Sequence, residues 1–164
     1  MNKKRKILIV LISVLVFGLV LCLDLITKHF FMGFESEQTI IPNLINFYST
    51  KNTGAAWSMF SNSTLALTII SSVAVVLIVL YALFSKQNSI FFYISISLIL
   101  SGAVGNLVDR IAFSYVRDFI QFDFWKTFPI FNFADCALTI GVVCLCLYFI
   151  IKIFKDKKQK WQLF

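Results

Sequence analysis

The sequence predicts an all-α membrane protein, four transmembrane helices carrying a small extracytoplasmic β-cradle. Three observations predict it. Apolar residues make up 59% of the 164 and charged residues only 14%, with a mean hydropathy of +0.86. A soluble domain of this size cannot bury that much apolar surface, so lipid is the expected solvent. Second, uncharged apolar runs occupy 7–23, 64–85, 87–108 and 136–151. Each is near the ~20 residues that a tilted helix needs to cross the hydrocarbon core. Third, the net charge of +7 is concentrated at Lys3, Lys4, Arg5 and Lys6 before the first run and at Lys152, Lys155, Lys157, Lys158 and Lys160 after the last. Basic clusters that flank apolar runs report membrane orientation, whereas a nucleic-acid surface interleaves them with polar and aromatic residues on a folded face. No nucleic-acid partner is expected.

The chain is expected to be a single integral membrane domain, 1–164, with spans near 7–28, 64–85, 87–110 and 135–154. The first span opens like a signal peptide, basic and then apolar, and "LVLC" at 19–22 hints at a processing box. Leu21 is too large for the small residue such a site needs, and the apolar pattern continues past Asp24 to Lys28, so a retained anchor is the better reading. "SKQNS" between the second and third spans is short and makes an antiparallel hairpin. Four crossings put both lysine-rich termini and Lys86 on one side, which the positive-inside rule assigns to the cytoplasm. The outer loops are then 30–62 and 111–134. The first has β-branched and aromatic residues punctuated by Pro42 and Gly54, and reads as short strands. The second holds Phe119, Phe122, Phe124, Trp125, Phe128, Phe131 and Phe133, which suit the headgroup boundary.

Ionisable residues within spans are costly and mark candidate sites. Asp24 and Lys28 lie four apart and can pair, either as a helix-end ion pair reaching the interface or in a chemical role. Gly102, Asn106 and Arg110 share one helical face with Asp109 alongside; Asp109 and Arg110 read as interface anchors, while an amide as deep as Asn106 needs partners. Ser101, Gly102 and Gly105 are small enough to admit a neighbouring helix closely. Asn132 followed by Asp135 resembles an N-terminal capping pair. The topology offers a second reading, because Asp118 follows the third helix and Asp135 opens the fourth. Two carboxyls at one depth in a poorly solvated site would share a proton and could activate water for amide hydrolysis. Spacing alone leaves both readings open. Cys22, Cys136, Cys144 and Cys146 read as apolar packing residues, and His29 has no ligand company, so no metal and no disulfide are expected.

Five blocks, "DLITK" (24–28), "NTGAAW" (52–57), "GAVGNLVDR" (102–110), "VRDFIQF" (116–122) and "FPIFNFAD" (128–135), resemble in order the signature blocks of lipoprotein signal peptidase, or signal peptidase II. The resemblance covers all four spans. It implies a bacterial inner-membrane aspartic endopeptidase that removes the signal peptide of prolipoproteins just before a diacylglyceryl-modified cysteine. It further implies Asp118 and Asp135 as the catalytic aspartates. Asn52, Asn106, Arg110 and Asn132 match residues that line the pocket or hold the pair, and Asp24 and Lys28 match a structural pair. Asp109 is likewise taken as structural, and Asp123, outside every block, as a solvated loop acid. Trp57 departs from a common phenylalanine, and Ser101 from a usual Gly or Ala. The expected partners are lipidated prolipoproteins and membrane lipid, with the enzyme a monomer that needs no cofactor. Two rivals remain: a proton-coupled transporter, which would show a repeat and midplane acids, and an assembly subunit, which gives no reason for Asp118, Asn106 and Arg110 together.

Overall fold

A computed structural model describes residues 3–34, 36–55, 59–60 and 63–161; Trp57 lies outside the described residues. Four helices dominate: α1 Lys3–Phe31, α2 Thr64–Phe84, α3 Ile90–Phe113 and α4 Phe133–Trp161. All four are long and apolar enough to cross a membrane. At 29 residues each, α1 and α4 are ~43 Å long, more than the ~30 Å hydrocarbon core requires. They therefore run through the lysine clusters that the hydropathy reading places outside the spans. At the same end, the Tyr148 hydroxyl and the Lys152 ammonium both donate to Gln87 Oε1, at 2.7 and 3.0 Å, tying α4 to the α2–α3 connection.

Helix α3 is the centre of the bundle. Half of its apolar span is buried, against 11% in α1 and α4 and none in α2. Its buried face is made of small and polar residues, among them Ser95, Ser101, Gly102, Gly105, Asn106 and Asp109. Lipid gives apolar side chains no reason to leave it, so helices associate here through close backbone packing and polar contacts. A Cβ on Gly102 would meet the Ala134 carbonyl oxygen at 2.3 Å, and one on Gly141 would meet Ile99 N at 2.8 Å. The α3–α4 seam is thus nearly backbone to backbone. The hydroxyls of Ser95, Ser97 and Ser101 donate back to carbonyls of α3 itself, so they add no unsatisfied polarity.

A three-stranded antiparallel sheet, β1 Gln38–Ile41, β2 Ile45–Asn52 and β3 Val116–Phe122, lies in the order β1-β2-β3. The reading of the sequence placed strands in the first outer loop only. β3 comes from the second and pairs with β2 through Ile45↔Phe122 and Thr50↔Asp118, so the two loops make one sheet. Helix α3 ends on Ser114, whose left-handed φ of 63° and N–H bond to Arg110 O turn the chain straight into β3. Phe119 is buried, not at the headgroup boundary: its ring lies 4.9 Å from Phe31 and 5.5 Å from Phe47, joining the sheet to the end of α1. Phe124 and Trp125 do stay exposed.

Asp123 is also corrected, since it is no free loop acid. Its Oδ2 accepts the Asn43 N–H at 3.1 Å and its Oδ1 the Asn46 amide at 3.0 Å. Asn43 holds the left-handed position of the β1–β2 turn, φ 61°, which asparagine tolerates well. Asp123 therefore pins that turn to the end of β3.

Candidate active site

The start of α4 supplies the first half of the site. An α-helix begins with four N–H groups that have no partner within it. Asn132 Oδ1 accepts the Asp135 N–H at 3.0 Å, while Asp135 Oδ2 accepts the Asn132 N–H at 3.1 Å. This is a reciprocal capping box, so the capping reading of the pair is right. The Ala134 N–H is taken by Asp24 Oδ1 from α1 at 2.8 Å. The second oxygen of Asp135 accepts the Asn106 amide at 2.7 Å. Capping thus aims the carboxyl and leaves it facing a cavity.

β3 supplies the other half. Asp118 is buried, with Oδ2 accepting from Asn52 at 2.8 Å and Oδ1 from Asn132 at 2.6 Å. Burial and then the neighbouring Asp135 charge push its carboxyl up to about 7, against the opposing pull of the two amides. Asn132 therefore serves both acids, with its amide Nδ2 toward Asp118 and its Oδ1 and backbone N–H toward Asp135. The same Nδ2 also donates to Asn106 Oδ1 at 3.1 Å.

Beneath them is a buried chain of charges. Lys28 Nζ stands 2.8 Å from Asp24, 3.4 Å from Asp109 and 2.9 Å from Asn106 Oδ1. Asp109 accepts from the Arg117 guanidinium at 2.6 and 3.1 Å and from its backbone N–H at 3.0 Å. Two acids and two bases alternate, so the cluster is neutral as a whole. Such an arrangement tolerates low dielectric only while every member is present. Asp24, Lys28 and Asp109 are fully buried, so of the readings left open for Asp24 and Lys28 the one that takes them to the interface is set aside, and Asp109 is no interface anchor. Gly105 makes room for Asp24, since a Cβ there would fall 2.4 Å from its Oδ2. Arg117 was not singled out from the sequence; its signal is a base directly beside Asp118 in a strand that is buried from Val116 to Ile120.

Arg110 is not an interface anchor either. Its Nη2 donates to Gly54 O at 3.1 Å, and Gly54 N donates to Asn52 Oδ1 at 3.0 Å. Arg110 thereby holds the chain that follows β2 over the site. A cavity of about 680 Å³ connects these parts. Its polar end is formed by Asn52, Asn106, Arg110, Asp118 and Asp135. Its apolar wall carries Ile70, Ala74 and Ile78 of α2, Ile99 and Ala103 of α3, and Leu138 of α4. Two carboxyls face one space that is polar at one end and lipid-like at the other.

Comparisons with known proteins place the chain in a family. The family model described as signal peptidase (SPase) II matches residues 16–151. The lipoprotein signal peptidase of Lactobacillus johnsonii is 34% identical over 95% of this chain and 100% of its own length. That of Staphylococcus haemolyticus is 37% identical over 91% of this chain and 94% of its own. A solved bacterial membrane enzyme, determined by the in meso method at 2.3 Å resolution, is 34% identical over 90% of each chain with a TM-score of 0.78. A second, at 1.9 Å resolution, is 33% identical over 84% of this chain and 91% of its own, with a TM-score of 0.76. With the match spanning all four helices and both halves of the site, this multi-pass bacterial membrane protein belongs to the signal peptidase II family of aspartic peptidases.

Proposed function

We propose that the chain, as a signal peptidase II, cleaves prolipoprotein signal peptides with Asp118 and Asp135 as its paired catalytic carboxylates. One observation carries the assignment: both acids line one cavity and are held by a single residue, Asn132. The signal helix of the substrate lies against the apolar wall between α2 and α4, and its scissile bond reaches the polar end. One ionised aspartate takes a proton from the water that adds to the scissile carbonyl, while the protonated one gives its proton to the carbonyl oxygen. The resulting gem-diol collapses, and the proton passes to the departing amine. Asn52 and Asn132 orient Asp118, and Asn106 orients Asp135. Arg110 holds the Gly54 loop over the substrate. Asp24, Lys28 and Asp109 support the site without touching substrate.

The whole chain acts as one integral membrane domain and as a monomer. Its lysine-rich ends face the cytoplasm, and the sheet and site face outward. The cut falls on the N-terminal side of the diacylglyceryl cysteine, whose tails remain in the bilayer beside the cavity. Incubating the purified protein with a lipidated prolipoprotein tests this directly. Asp118→Asn and Asp135→Asn should each abolish release of the signal peptide while far-UV CD stays unchanged. Full activity in either variant would sink the pair.

A further inference from the structure

Asp118 separates two cavities. Beyond the one already described lies a second of about 490 Å³, sharing Asn52, Asp118 and the 128–130 segment with the first. None of its lining comes from α1, α2, α3 or α4; it is built from β2, β3 and the loops beside them. The second cavity adjoins the polar end of the first, so the chain of a substrate held against the apolar wall can continue past Asp118 into it. The walls here are polar, with Thr50, Lys51, Gln121, Lys126 and Thr127. Two of them matter for selectivity. Gln121 lines this cavity, and its Oε1 is shielded and accepts no hydrogen bond among the described residues, a costly state that a rotation of the side chain toward an incoming N–H would relieve. Lys126 is already answered by Glu37 at 3.2 Å and Asp123 at 3.5 Å. Lys51 has no ion pair among the described residues and lies 5.3 Å above the Tyr115 ring. It is the spare positive charge at the mouth.

We propose that this second cavity is a subsite for the peptide segment just after the lipidated cysteine, with Gln121 receiving a main-chain N–H and Lys51 favouring an acidic side chain. The inference rests on the functional reading above. Contacts that are equally strong in the ground and transition states act on KM and leave kcat unchanged, and that is the pattern expected of a subsite that only holds the chain.

The experiment uses lipidated prolipoproteins identical except at the second and third residues after the cysteine, made acidic, neutral or basic. For a partly exposed ion pair, KM should rise about two- to fivefold from the acidic to the basic substrate, with kcat constant. Lys51→Glu should reverse that order, and added salt should flatten it. Gln121→Leu should raise KM for all three substrates alike. An order that Lys51→Glu leaves unchanged, or a KM indifferent to sequence, overturns the subsite while signal-peptide cleavage itself persists. Failure to cleave any of the three would overturn the functional reading and the subsite with it.

Discussion

Asn132 joins the two carboxyls through different atoms: its Nδ2 donates to Asp118, its Oδ1 accepts the Asp135 N–H, and its backbone N–H donates to Asp135 Oδ2. The amide donors around Asp118 favour its ionised form, and burial opposes them. Because its carboxyl lies near 7 and the pair needs one proton, kcat/KM should fall as pH rises through about 7. The sign for stability is the same. An acid whose folded value lies above its usual 3.8 loses its contribution as pH rises toward 7. Asn52→Ala removes a 2.8 Å bond that favours the charged form. Its alkaline limb should therefore move to higher pH in a pH–rate profile, and a move to lower pH would contradict the assignment of that limb to Asp118. Asp123→Asn should keep the cleavage chemistry, yet lower thermal stability by about 1 kcal/mol through the β1–β2 turn that Asp123 pins.

Between elements, the α3–α4 seam positions Asp135. Replacing Gly102 by alanine gains about 1 kcal/mol of helix propensity. Against that, the new Cβ would lie 2.3 Å from the Ala134 carbonyl oxygen, a backbone atom that cannot rotate away. Overpacking typically costs about 1–3 kcal/mol, so the substitution should destabilise on balance. Because Ala134 adjoins Asp135, the shift should also reduce kcat more than it raises KM. Steady-state kinetics beside a thermal melt in detergent would check both. A variant more stable than the parent, with unchanged kcat, would show that the seam can relax.

Across the whole molecule, the chain Asp24–Lys28–Asp109–Arg117 links α1, α3 and β3, and Asp24 reaches on to α4 through the Ala134 N–H. Removing one member of such a buried set leaves a charge uncompensated, at a cost of about 3–5 kcal/mol. Lys28→Met should therefore lower the denaturation midpoint strongly. It should also release Asn106, whose Oδ1 accepts from Lys28 and whose amine holds Asp135. Loss of both stability and activity is expected. A stable, fully active Lys28→Met would show that the cluster does not hold the site.

The four spans and the charge at their ends could be read without coordinates, because burial in lipid is a local property of each apolar run and needs no knowledge of its neighbours. The five blocks led to the family, and the Asn132–Asp135 cap was visible because both partners lie within one helical turn. The remaining contacts depend on residues far apart in the chain. Strand β3 was hidden because its partner, β2, lies in the connection between α1 and α2, far away in the chain. The burial of Asp24, Lys28 and Asp109 was hidden because their neutralising partners sit on different elements, so each in isolation looked like an interface residue. The part played by Asp123 emerged only when the sheet closed and brought it to the Asn43 turn. Hydropathy is additive along the chain and therefore legible, whereas charge compensation in a low-dielectric interior is a property of groups, and only the packed structure brings the groups together.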